Sequence, residues 1–197
     1  MAGTYTVIPQ ETFDELQQDA GVLLKNFDPA NPGRPRNEDI VTATTGGFNC
    51  SCVPSYSDFF EDVDNAPNNT KEGKHLDDWE VKITTTAINT SPKVIKLALG
   101  AADITNAELG EVTPRAKVLL TDYQDLWWVG DKANGGLVAC HVYDALSTGG
   151  FALQTGKNVK GQTPLEFTGH PTTENLDRVP VKYYSIDPPA QTSNTGA

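Results

Sequence analysis

Trp127 and Trp128 stand side by side in the apolar stretch Leu126–Val129. Neighbouring side chains on a β-strand point to opposite faces of the sheet. A strand through this pair therefore buries one indole in its own core and sends the other away from it. The next apolar run, Leu137–Tyr143, also carries apolar residues on both faces. A sheet built from such strands has to be covered twice. The sequence suggests two covers for the second face: a short helix, or another copy of the chain.

The helix is Pro92–Leu99. Ser91-Pro92 supplies an N-cap and first-turn proline, Val94/Ala98 and Ile95/Leu99 form one apolar stripe, and Gly100 closes it. A shorter helix is expected over Phe13–Gln18 from the capping-box pattern Thr12-Phe13-Asp14-Glu15. The remainder reads as strands and turns, in keeping with 17 Gly and 13 Pro among 197 residues. Trp79, Val81, Ile83 and Ala87 alternate with polar residues, and Glu38–Cys52 reads as one or two strands broken at Gly46-Gly47. Asn134-Gly135 marks a hairpin, while Leu165/Phe167 and Val179/Val181/Tyr183 mark later strands. The expected fold is mainly β, of α+β class: an antiparallel β-sandwich or barrel with one short flanking helix and a long extended loop. One domain spans 1–186, and 187–197 reads as a flexible tail.

The long loop is Pro54–His75, rich in Asp, Asn, Gly and Pro and without sustained period. Structureless spans of this length inside a compact domain are usually functional. Phe59 and Phe60 within it suit a contact surface better than free solvent. Asp58, Phe59, Phe60, Glu61, Asp62, Asp64, Asn65, Asn69 and Lys71 are the candidate contact residues.

No catalytic constellation emerges. Thr155–Asn158 lacks the spacing and the hydroxyl of a phosphate loop, and reads as a hairpin turn. Asp62, Asp64 and Asn65 begin a calcium-loop pattern that Ala66 and Pro67 break. Cys50, Cys52 and Cys140 match no zinc spacing and read as small buried hydrophobes, with Phe48, Cys50 and Cys52 on one face. His141 reads as a structural, hydrogen-bonded histidine. No catalytic, metal or cofactor residue is expected. A formal net charge of −11 argues against binding nucleic acid through its phosphates. No signal peptide is apparent, and the longest apolar runs of four residues are far too short for a membrane span, so a soluble protein made in a cytoplasm is expected.

The succession of features resembles one family, the major tail tube proteins of long-tailed bacteriophages. It rests on "LQQDAGVLLKNFDP" (16–29), Thr45-Gly46-Gly47, and the acidic "EDVDNAPNNTKEGK" (61–74) running into "LDDWEVKITTTAI" (76–88). Thr113-Pro114-Arg115, "DLWWVGD", "VYDALSTGGFALQ" and "FTGH" complete it. The resemblance implies a structural protein whose copies close into hexameric rings, and rings that stack into the tube through which viral DNA passes without specific binding. It also implies tape-measure, tail-terminator and distal tail proteins as partners, residence in the virion tail, and assembly in the host cytoplasm. The Pro54–His75 loop would reach the neighbouring ring, and Trp127 or Trp128 is the candidate subunit-contact strand. Burying an extra Trp removes roughly 200 Å² from water, on the order of 4–5 kcal/mol before ordering costs. Two other readings remain open: a non-catalytic β-sandwich module binding carbohydrate or acting in adhesion, and an inner-tube protein of a contractile injection system.

Overall fold

The computed structural model describes residues 5, 7–9 and 11–188, and over these the chain is mainly β. A single helical turn, α1 (Glu11–Asp14), leads into β1 (Gln17–Leu24). Then come β2 (Thr44–Asp58), β3 (Lys74–Ala87) and the helix α2 (Pro92–Leu99). A small two-stranded sheet, β4 (Ala102–Asn106) with β5 (Glu111–Pro114), precedes β6 (Gln124–Lys132), β7 (Leu137–Ser147), β8 (Thr163–Thr168) and β9 (Val181–Ile186). Seven strands form one antiparallel sheet in the order β1-β6-β7-β8-β3-β2, with β9 beside β7.

The sheet folds into two layers at β7. Leu137–Val142 pairs with β9, whereas Leu146 and Ser147 pair with β8. Between them the β6–β7 ladder skips register, from Leu126↔Val142 to Gln124↔Ala145. Asp144 sits in this bulge with φ 46°, and its N–H is held at 3.1 Å by Asp125 Oδ1. Bulges bend a strand and increase its twist, which is how one strand serves two sheets. The core lies between the layers: Leu23, Leu126, Cys140 and Val142 from one, Val81, Ile83, Leu165 and Phe167 from the other. Helix α2 adds Val94 and Ala98 to this same core, and Gly100 ends it with φ 69°.

The two indoles take opposite faces. Trp128 lies along the core side, half-buried, and its Nε1 donates to Ala20 O at 3.0 Å. Ala20 belongs to a bulge in β1, where three residues face one of β6. Trp127, 7% exposed, lies on the outer face with Leu24 and Ala139. Helix α2 packs elsewhere and does not cover it, contrary to that expectation. The cover comes from residues 25–40: Phe27 packs edge-on to Trp127 at 5.4 Å, and Ile40, bridged to Leu24, seals one side with Tyr184 on another.

Three further expectations need correction. The Phe13–Gln18 helix stops after Asp14, because Asp14 O and Leu16 O accept from Asn134 N and Ala133 N of the β6–β7 turn and draw the chain into β1. Thr12 therefore lies inside the turn and not at its cap. In Glu38–Cys52 only Thr44 onward is strand, and Gly46-Gly47 (φ 78° and 79°) forms a bulge in β2 rather than an interruption. At the start of the expected tail, Asp187 is tied by Lys132 Nζ at 3.0 Å; residues 189–197 lie outside the described residues.

Two substitutions test this arrangement. Phe27→Ala uncovers Trp127 and lowers stability by about 2–3 kcal/mol in urea unfolding, with a red shift of indole emission in the folded state. Gly21 has φ +71°, and a Cβ there would stand 2.5 Å from Trp128 Nε1. Gly21→Ala costs about 2–3 kcal/mol; an unchanged melting temperature would contradict the packing of Trp128 on the bulge.

Candidate functional site

Strand β3 meets β8 only over Lys82–Ala87, yet its ladder with β2 continues from Cys52↔Val81 out to Asp58↔Lys74. The distal half of this hairpin is thus a two-stranded ribbon. Val81 still belongs to the core, so the seven residues Lys74–Glu80 at ~3.3 Å each extend it about 23 Å beyond the body. The expected loop Pro54–His75 is corrected accordingly: Pro54–Asp58 and Lys74–His75 are strand, and only 59–73 form the tip. The sequence hid this because Pro54, Ser55 and Ser57 break the apolar alternation that identifies a strand with one buried face.

The tip is ordered by polar bonds. Asp58 ends β2, and its carboxylate accepts from Phe60 N at 3.0 Å and Asn69 N at 2.6 Å. These N–H donors hold its pKa below the usual aspartate value. Lys74 Nζ donates to Asn69 Oδ1 at 2.7 Å. Asn65 and Asn69 (φ 65° and 64°) make the tight turns, and Phe60 folds inward against Gly73. Phe59 faces outward, 67% exposed and stacked on His75 at 5.0 Å. Glu61, Asp62, Asp64 and Lys71 are exposed around it. The structure therefore splits the candidate residues into a framework (Asp58, Phe60, Asn65, Asn69) and a presented surface (Phe59, Glu61, Asp62, Asp64, Lys71). Sequence reasoning missed Val53, Tyr56 and Leu76, also exposed along the ribbon at 53%, 57% and 41%. An isolated two-stranded hairpin is marginally stable in water, and exposed apolar side chains grouped on one make it the candidate contact surface.

Trp127 and Trp128, the other candidates, belong to the body and not to this surface. Trp127 stacks on His141 at 3.7 Å, and His141 meets the Tyr143 ring at 3.9 Å. Arg178 lies 3.3 Å over Tyr143. His141 Nε2 and Asp125 Oδ2 are 3.1 Å apart, the hydrogen-bonded structural role expected. A cleft of about 560 Å³ separates this row from the 25–39 segment and is lined by Phe27, Trp127, His141 and Asp125 with Arg34 and Arg36.

The outer face of the β8–β3–β2 layer is polar. Asn49, Thr84 and Glu166 form one cross-strand row, and Ser51, Lys82 and Thr168 the next. Lys82 Nζ is engaged by Glu80 at 2.6 Å and Glu166 at 3.6 Å. Cys50 and Cys52 pack against the core with Phe48, as expected, and Cys140 is buried there. The Cys50 thiol beside Cys140, together with burial, pushes the Cys140 thiol far up. Among the described residues, no three His, Cys, Asp or Glu side chains are grouped to hold a metal ion. A comparison with models of known protein families and with curated proteins finds no match.

Burial, reinforced by Arg178 and Lys182, lowers the His141 pKa below 6.5 against the opposing pull of Asp125. The unfolded chain then binds a proton near pH 6.5 that the folded one refuses until lower pH. Stability therefore falls as pH drops below 6.5. His141→Phe flattens this part of the pH–stability curve. Parallel curves for the two proteins between pH 7 and 5 would exclude the assignment.

Proposed function

We propose that this chain is a structural, non-catalytic subunit whose copies close into hexameric rings and stack into the tail tube of a bacteriophage, the conduit for DNA ejection. The observation that carries this reading is the β2–β3 ribbon. It holds Val53, Tyr56, Phe59 and Leu76 in water on two strands that no third strand or second layer supports. Ordering such an arm costs conformational entropy that its own contacts offset poorly. Contact with a neighbouring copy would offset it. We place the contact surface on the arm, since Trp127 is already buried by its own chain.

The polar β8–β3–β2 face suits a wall past which DNA moves. Its only lysine among the paired rows is held by two glutamates, and the chain carries −11 overall, so phosphates find little to adhere to. Tape-measure, terminator and distal tail proteins are the partners this reading brings, with the virion tail as location. The same subunit would serve the inner tube of a contractile system. A second reading, a carbohydrate-binding module, is favoured by one observation: the cleft beside Phe27, Trp127 and Asp125 combines aromatic faces with hydrogen-bonding groups.

Replacing Ser55–Asp78 by Asn-Gly joins the paired residues Pro54 and Trp79 through a two-residue turn. The shortened protein should keep its melting temperature within about 5 °C, since the arm adds nothing to the core. It should form neither rings nor tubes in negative-stain images, whereas the intact chain forms both. Tubes from the shortened protein, or an intact chain that stays monomeric and binds a sugar, would reject the tail-tube reading.

A further inference from the structure

Helix α2, strand β4 and the segment 37–41 enclose a cleft of about 470 Å³. Ile40, Val41, Leu97 and Ile104 are its apolar lining, beside the polar Asn37, Thr121, Gln124 and Ser147. Lys25, Lys93 and Lys96 stand around it. The two carboxylates on its lining are already engaged, Glu38 by Arg36 at 3.0 Å and Asp122 by Arg115. Lys96 approaches Asp103 only at 4.0 Å, and among the described residues Lys25 and Lys93 pair with no carboxylate. In a chain of net charge −11, this is a lysine-rimmed recess with a mixed polar and apolar lining.

The arm tip carries the opposite character. Glu61, Asp62 and Asp64 surround exposed Phe59 and Val63, and these three carboxylates enter no ion pair among the described residues. The tip's hydrogen bonds stay within 58–75, and no tip residue lines the cleft. We propose that the lysine-rimmed cleft receives the arm tip of a second copy of this chain, with the tip carboxylates against Lys25, Lys93 and Lys96 and Val63 or Phe59 against the apolar part of the lining. Complementary charge at a rim around an apolar centre is the general anatomy of a specific interface. Tip and cleft are different patches, so the contact is heterologous. Such a contact closes into a ring where its rotation allows, and otherwise leaves a free tip and a free cleft from which the assembly propagates.

This inference rests on the self-assembly reading, and charge reversal separates the two. Lys25→Glu/Lys93→Glu/Lys96→Glu replaces no buried side chain, and circular dichroism checks that the variant is folded, with Lys25→Glu/Lys93→Glu as the version that leaves the Lys96–Asp103 pair intact. Its polymerised fraction in sedimentation should fall at least about tenfold, because like charges then face each other. Glu61→Lys/Asp62→Lys/Asp64→Lys should do the same, and mixing the two reversed proteins should restore contacts between them. In wild-type assemblies, carbodiimide should join a cleft lysine to a tip carboxylate, as read by peptide mass spectrometry. A lysine variant that polymerises like wild type, with cross-links elsewhere, overturns the cleft and leaves self-assembly standing. A wild-type chain that never assembles overturns both.

Discussion

Two-sided burial of the β6–β7 pair governs the architecture. These strands bring apolar side chains to both faces, so the sheet needs a layer on each side before it is shielded from water. One layer is the β8–β3–β2 half of the same sheet, brought round by the bulge at Asp144. The other is a stretch of 25–40 with almost no regular structure, whose Phe27 and Ile40 do the sealing. Irregular backbone can serve here because its polar groups remain satisfied: Asp39 accepts from Asn26 and Arg36, and Asp28 caps its own turn.

With both faces of the central strands closed internally, the apolar surface left over lies at the periphery. Part of it lies on the β2–β3 arm, part on the N-terminal residues Tyr5, Val7, Ile8, Phe13 and Leu16, and part at Val118–Leu120. There Arg115 bonds Lys117 O and pairs with Asp103 and Asp122, while Leu120 is left 91% exposed. A body complete in itself that carries an incomplete appendage suits a protein that folds first and associates second.

What the sequence revealed follows from how local each signal was. Pro92–Leu99 is legible to the residue because proline, an apolar stripe at i and i+4, and glycine sit within nine positions. The β6–β7 turn is legible from Asn134-Gly135 for the same reason. The cover over Trp127 is not, since Phe27 meets it across a hundred residues of chain and nothing in "NFDPANPGRP" distinguishes a lid from a surface loop. The ribbon is half legible. Its acidic tip and Phe59 mark it, but Pro54–Asp58 lacks periodicity because a strand without a layer behind it has no buried face to encode. The short helix at Phe13 fails because long-range hydrogen bonds to the β6–β7 turn override a local capping pattern.

The hairpin geometry of the arm also sets how it bears load. A pull at the tip acts on both covalent strands at once, so the β2–β3 rungs are not opened in sequence. The force enters the body through the Lys82–Ala87 ladder with β8, whose hydrogen bonds lie across the strand direction and resist by shear. It then passes through Leu146 and Ser147 into β7 and the first layer. Tension on this one appendage is thereby spread over both layers of the fold.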